Sequence, residues 1–301
     1  MKYILIIISI FIITSCSEKK EDLPKLEGVW QRIGTIVFEN GVAVDTLYYP
    51  VDSIKFKNGN VIPGKRFKVI ADGHSIWFDS RLKKDSLGSF SIVDDMFGKT
   101  DISFTKDSIF ESFKFWHDNG NKRNWVRNLK EGEIHFKAKF ILRDDKYVQY
   151  RLRKDGSTRA EFYGRVDNFN LNPTPLTGSW KRVFYVNIVN GELKDTLFND
   201  FKFGTGSGHF QSFTDGKRLL AFNFDQFRDS LGNDRYPGRA QMSDYKIIGD
   251  TIVEKIIFRT SGRGLKAGAE RKRKFEITDD YFKLYNINSS GNGRINHFQK
   301  Q

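Results

Sequence analysis

The segment Leu26-Glu27-Gly28-Val29-Trp30 returns 150 residues later as Leu176-Thr177-Gly178-Ser179-Trp180. Self-similarity at a long interval means that one structural unit occurs twice, so any fold assigned to the first copy must also suit the second. The match continues in order beyond the pentapeptide. Asn40-Gly41 recurs as Asn190-Gly191, Asp45-Thr46-Leu47 as Asp195-Thr196-Leu197, and Asp72-Gly73 as Asp215-Gly216. Further on, Asp85-Ser86-Leu87-Gly88 pairs with Asp229-Ser230-Leu231-Gly232, Asp107-Ser108-Ile109 with Asp250-Thr251-Ile252, and Asp144-Asp145 with Asp279-Asp280. The offset shrinks from 150 to 135, which gives the second copy shorter loops.

Most of these matches are turn chemistry. Asn-Gly and Asp-Gly between apolar runs mark hairpins, because both central residues of a type I′ turn need positive φ. Adjacent carboxylates such as Asp144-Asp145 suggest metal or acid/base work, but between strand-like runs they read as solvated hairpin tips. Between the turns, the pattern alternates. Lys146-Tyr147-Val148-Gln149-Tyr150-Arg151-Leu152 sets Val148, Tyr150 and Leu152 against polar neighbours. A period of two with β-branched and aromatic residues means strands with one wet face. About eight such runs per copy, joined by hairpins, predict a sandwich or an up-and-down barrel. The 28 Phe and only 6 Pro fit sheet faces rather than a disordered chain. The segment 169–175, with Pro173 and Pro175, reads as a stiff spacer between a domain at 26–168 and a domain at 176–301.

The first 25 residues have a separate character. Lys2 precedes an apolar run, Ile4 to Ile13, broken only by Ser9. Ten residues of helix span about 15 Å, half of a bilayer core, so this reads as a signal-peptide core within residues 1–15 rather than a membrane span. The run ends Ile13-Thr14-Ser15-Cys16, which resembles the lipobox of bacterial lipoproteins. That resemblance implies cleavage before Cys16 and acyl chains (a diacylglycerol and an amide-linked fatty acid such as palmitate) on the new terminus. Two or three such chains anchor a protein stably in a membrane. Residues 16–25 then form the lipidated Cys and a charged tether. The implied address is the bacterial cell envelope, at the outer membrane, on either its periplasmic or its surface face. Cys16 is the only cysteine, so no intrachain disulfide forms. The net charge of +13 suits nucleic acid, an anionic membrane or acidic glycans, and an exported chain rarely meets nucleic acid.

Gly28-x-Trp30 and Gly178-x-Trp180, each opening an eight-strand antiparallel unit, resemble the lipocalin opening motif. The expected fold class is all-β: two tandem antiparallel eight-stranded lipocalin-like β-barrels behind a lipoprotein signal peptide. In lipocalins the Trp plugs the closed end and an Arg of the last strand lies across it. The resemblance implies the closing pairs Trp30 with Arg159 and Trp180 with Arg294, through a cation–π contact. The sequence departs from the family at one point, since it shows no pattern for the C-terminal helix of typical lipocalins.

The search for chemistry finds little. His74, His117, His135, His209 and His297 lack metal-ligand spacing, so no metal or other cofactor is expected. No nucleophile elbow occurs. Gly204-Thr205-Gly206-Ser207-Gly208 precedes a strand pattern rather than the helix that a phosphate cradle needs. Glu111 and Glu254 hold equivalent positions among apolar residues, so a buried, proton-bearing Glu with a partner carboxylate about 5–10 Å away would suit a glycan-acting hydrolase. A Glu paired with Lys or Arg is the plainer reading. The run Glu270-Arg271-Lys272-Arg273-Lys274 fits an exposed basic strand facing headgroups, or an edge strand guarded against pairing. The expected role is non-enzymatic binding of a small apolar ligand, a glycan or a protein partner. Trp77, Trp116 and Trp125, which have no Trp counterparts in the second copy, would line the site. Barrels filled by side chains, serving a structural role, remain the alternative.

Overall fold

In the computed structural model the described residues are 26–40, 42–48, 53–55, 61–63, 66–84, 90–118, 123–124, 130, 132–152, 158–166, 173–198, 208–214, 216–223, 227–228, 234–235, 238–260 and 268–301. Cys16, Trp125, residues 204–207 and residues 169–172 of the spacer lie outside them, as does the side chain of Arg159.

The first unit runs β1 (Gly28–Glu39), β2 (Val42–Tyr48), β3 (Ser53–Lys55), β4 (Val61–Pro63), β5 (Arg66–Ala71) and β6 (His74–Lys84). It continues with β7 (Phe90–Phe104), β8 (Ser108–Asp118), β9 (Arg123–Asn124), β10 (Phe136–Arg143), β11 (Lys146–Leu152) and β12 (Thr158–Arg165). The second unit runs β13 (Gly178–Val189), β14 (Glu192–Phe198), β15 (Gly208–Phe213), β16 (Lys217–Asn223), β17 (Phe227–Arg228) and β18 (Asp234–Arg235). It ends with β19 (Gly238–Ile248), β20 (Thr251–Arg259), β21 (Glu270–Thr278), β22 (Tyr281–Ile287) and β23 (Gly293–Lys300).

Each unit is a closed eight-stranded antiparallel barrel, the architecture that the lipocalin resemblance implies. In the first, the order is β10-β11-β12-β1-β5-β6-β7-β8, and β8 pairs back with β10. In the second, β13-β15-β16-β19-β20-β21-β22-β23 closes through β13–β23. In both, the second half of the opening strand also carries a hairpin arm, β2 or β14. The opening strand slips register at the same place in each barrel, between Arg32 and Gly34 and between Arg182 and Phe184. Such bulges bend a strand and strengthen its twist, as closure requires. No helix occurs among the described residues.

The turn chemistry accounts for this register. Asp72 and Gly73 have φ of 51° and 71°, and Asn190 and Gly191 have 54° and 81°, the paired positive values of a type I′ turn. The pentapeptide glycines also have a backbone reason. Gly28 and Gly178 sit at φ 129° and 130°, which L side chains rarely adopt. Asp144-Asp145 and Asp279-Asp280 are exposed hairpin tips between β10 and β11 and between β21 and β22.

Each barrel is plugged at the end where it begins. Trp30 and Trp180 are fully buried, and their Nε1 groups donate to the carbonyls of Leu26 and Leu176, both at 2.7 Å. Tyr147 meets Trp30 edge-on at 4.8 Å and stacks on Tyr163 at 4.5 Å. Phe282 meets Trp180 edge-on at 4.9 Å and stacks on Phe298 at 4.6 Å.

The cation across the Trp differs from the one expected. Register places Arg165, not Arg159, opposite Trp30, and the Arg165 guanidinium lies 4.1 Å from the Trp30 ring. Arg159 pairs with Val37, far along β1 toward the open end. Arg294 lies over Tyr185 at 4.7 Å, and the cation over Trp180 is Lys300, at 5.9 Å. Arg165 and Lys300 are themselves a matched pair at the 135 offset, so the alignment holds and only the choice of arginine changes.

The barrels lie side by side. Asp72, at the closed end of the first, accepts a 3.0 Å bond from the Ser179 amide at the closed end of the second. A Cβ at Gly178 would stand 2.2 Å from that carboxylate. Toward the open ends, Phe258 stacks on Phe67 and Phe78 at 5.2 and 4.4 Å. Closed end meets closed end and open end meets open end, so both mouths lie at the same end of the molecule. Outward-facing Val69, Ile76, Phe97 and Phe115 join Phe210, Leu219, Ala221 and Met242 in one shared apolar cluster. Fully buried Lys99 also sits there, against His74, Asp101 and the Phe210 ring.

Candidate functional site

The inward-facing residues of the first barrel divide into two zones. Around Trp30, the packing of Ile70, Ile102, Ile109 and Phe140 is dry. Toward the mouth a hollow of about 460 Å³ opens, lined by Trp77, Trp116, Phe113, Phe136, His135 and a set of charged groups. Trp77 (β6) and Trp116 (β8) come together because each pairs with Gly98 on the strand between them. Their rings meet edge-on at 5.5 Å. A Cβ at Gly98 would fall 2.7 Å from the Trp77 ring, so the glycine makes room for the indole.

The charges in this lumen come in opposite pairs. Lys68 bonds Glu111 at 2.6 Å, Arg32 bonds Glu161 at 2.7 Å, and Arg66 pairs with Asp79. Tyr163 adds a 2.8 Å hydrogen bond to Glu161. Burial is the largest single influence on Lys68 and opposes its charge, but Glu111, Tyr147 and Glu161 together outweigh it and raise the ammonium above the ordinary lysine value. For Asp79 burial dominates and pushes its carboxyl up, against Arg66 and Arg32. This lumen is amphipathic, with its three carboxylates each set against a cation, Arg151 beside them and an aromatic wall.

The second lumen is built differently on the same positions. Glu254 matches Glu111, is fully buried, and is held by Arg218, Arg271 and Arg273. Burial alone would favour its protonation. The three guanidiniums together win and hold its carboxyl well below the usual range. Arg218 also bonds Gln211 Oε1 through Nε and Nη2, at 2.8 and 2.6 Å. Arg182 bonds Asn296 at 3.0 Å, and burial chiefly brings its pKa to about 10.

The basic run beginning at Arg271 is therefore neither an edge nor a uniformly exposed face. β21 pairs with β20 on one side and β22 on the other. Period two turns Arg271 and Arg273 into the lumen toward Glu254 and leaves Lys272 and Lys274 exposed.

A larger hollow, about 820 Å³, lies on the outer wall of the first barrel along Ile36, Phe38, Ile141, Val148, Tyr150 and Phe162. At the matched wall of the second barrel stand Glu276, Lys283, Tyr285 and His297, where Glu276 bonds Lys283 and Tyr285. Among the described residues no group of three or more His, Cys, Asp or Glu could hold a metal ion.

The residues that sequence reading missed are inward charges: Arg32, Lys68 and Glu161 in one barrel, Arg182 and Arg218 in the other. Their signal was a charged residue at a period-two position between large apolar ones. Comparison of the chain with protein-family models, with curated proteins and with solved structures finds no match.

Proposed function

We propose that the chain is a non-enzymatic binding protein whose first barrel takes a small, partly apolar ligand through its mouth. The observation that carries this is the hollow of about 460 Å³ in which Trp77 and Trp116 stand over paired charges. Its volume falls in the range of small-molecule sites, and its lining combines aromatic surface with a few fixed polar groups, as such sites do. Fatty acids, lipid fragments and glycan fragments all suit an aromatic wall with ion pairs behind it. The ionised, Arg-locked state of Glu254 weighs against a hydrolase acting through that residue. The apolar hollow on the outer wall supports a second reading, docking of a protein partner there.

The lipobox-like Ile13-Thr14-Ser15-Cys16 supports tethering of this lipocalin-like pair to a bacterial envelope membrane. Cys16→Ser would then move the chain from the membrane fraction to the soluble fraction and abolish palmitate labelling.

Titration of intrinsic tryptophan fluorescence with those three ligand classes tests the binding reading. Saturable quenching or a blue shift, lost in Trp116→Phe and in Trp77→Phe, is expected. A folded protein whose emission ignores every ligand would sink it.

A further inference from the structure

Among the described residues, three arginines of the second lumen share one carboxylate. Arg218, Arg271 and Arg273 converge on the single carboxylate of Glu254. Among the described residues, three guanidiniums against one carboxylate leave two positive charges, with Arg218 and Arg273 buried and Arg271 partly exposed. The field continues in both directions. His209 lies within reach of Arg182, Arg218 and Arg273, and Arg239 within reach of Arg259 and Arg271. Glu254 is the negative charge that favours the ionised forms of Arg218 and Arg273.

Three polar atoms within the cluster also lack partners. Gln211 Nε2, Arg273 Nε and His209 Nε2 are buried without a hydrogen bond. Gln211 is fully buried and Arg273 is 7% exposed, so these are interior groups. Buried donors without acceptors are costly, and a buried uncompensated charge is costlier.

The first barrel shows that the fold does not demand this arrangement. At matched positions it has Ser75 for Arg218, Met96 for Arg239, Trp116 for Arg259, Phe136 for Arg271 and Ala138 for Arg273. Conversely its carboxylates Asp79 and Glu161 become Phe222 and Asn296. One copy carries cations where the other has neutral groups, and neutral groups where the other has anions.

We propose that the mouth of the second barrel is a binding site for a phosphomonoester dianion, seated among Arg271, Arg273 and Gln211. A dianion matches the two uncompensated charges. Planar guanidiniums bind phosphate oxygens in bidentate fashion, and Gln211 Nε2 and Arg273 Nε supply free donors. The group could arrive as a soluble phosphate ester or as the headgroup of a lipid such as phosphatidic acid. The site is independent of the first lumen, and its failure would leave the binding reading for that lumen standing.

The test is calorimetric titration and thermal unfolding of the full chain in detergent with inorganic phosphate and glycerol 3-phosphate, against chloride at equal ionic strength to separate binding from screening. Phosphatidic acid vesicles form a second arm, with phosphatidylglycerol vesicles as the control for surface charge. Saturable heat and a rising Tm with phosphate are expected, weakened roughly tenfold or more in Arg271→Gln. Arg239→Gln, nearer solvent, gives a second variant if Arg271→Gln does not fold, and Trp116→Phe in the other barrel should leave phosphate affinity unchanged. Binding to phosphatidic acid vesicles alone, lost in the same variants, would identify the headgroup as the source. No saturable response beyond chloride in a folded protein, or equal binding to both kinds of vesicle, would overturn the proposal.

Discussion

The two lumens share a plug, a bulge and a central glutamate, yet they handle charge in opposite ways. In the first, Glu111, Glu161 and Asp79 face Lys68, Arg32 and Arg66, and tryptophan and phenylalanine line the wall beside them. In the second, one glutamate serves three arginines, and further arginines continue toward the mouth. The plugs diverge less: around each Trp the exchanges, among them Tyr147 for Phe282, Tyr163 for Phe298, Ile70 for Phe213 and Ile102 for Tyr245, keep a large buried side chain in place, and Arg165 for Lys300 keeps a cation. What a barrel needs in order to close stayed alike, while what its mouth presents diverged.

The largest expected effect lies at the shared glutamate. Glu254→Gln strands the buried guanidiniums of Arg218 and Arg273 beside Arg271 and should cost about 3–5 kcal/mol or unfold the second barrel. Glu111→Gln should cost less, because Lys68 can release its proton whereas arginine cannot. Urea unfolding of both variants checks the order, and equal losses would break the comparison.

The next effect lies at the shared wall between the barrels, where Lys99 stands at the position that Met242 holds in the second copy. Burial chiefly pushes the Lys99 ammonium down to about 7, with Lys114 and Lys181 adding to the shift and Asp101 opposing it. His74 also contacts it, at 2.7 Å. Between pH 7 and the ordinary lysine value, the unfolded chain binds the Lys99 proton and the folded chain does not, so stability rises with pH across that window. Lys99→Met should flatten this rise and stabilise the protein at neutral pH by on the order of a few kcal/mol. Unfolding curves from pH 6.5 to 10 read it directly, and a variant with the same pH slope as the parent would discount the buried charge.

The smallest effect lies at the plugs. Arg165→Lys imposes on the first barrel the cation that the second barrel carries. It should cost about 0.5–1 kcal/mol through a weaker cation–π contact and the loss of the bond to the Glu27 carbonyl. Lys300→Arg should recover a similar amount, with thermal unfolding as the measurement.

The architecture was legible because its determinants are local. A turn dipeptide and a glycine before a tryptophan act over three or four residues, so reading them twice was enough to count the strands. The lumens were not legible, because side chains meet there across strands whose register depends on bulges. The choice of Arg159 over Arg165 shows this. Both align with an arginine or lysine of the second copy, and only the register between β1 and β12 puts one of them against Trp30. The run Arg271–Lys274 shows it again, since a strand paired on both sides cannot be told from an edge by its own residues. Trp77 and Trp116 were singled out for lacking counterparts, but what joins them is Gly98, a residue with no side chain to notice.

The bond between Trp30 and the Leu26 carbonyl fixes where the chain enters its first barrel, which is at the plugged end. Residues 16–25 extend over at most about 35 Å. A chain held at Cys16 would therefore have the plugged end of the first barrel within about 35 Å of the membrane, with the mouths free to lie farther from it. Under the anchoring proposed above, the mouths would then face what diffuses through the surrounding water rather than the anchor's own leaflet, and a soluble ester would be the source of phosphate within reach.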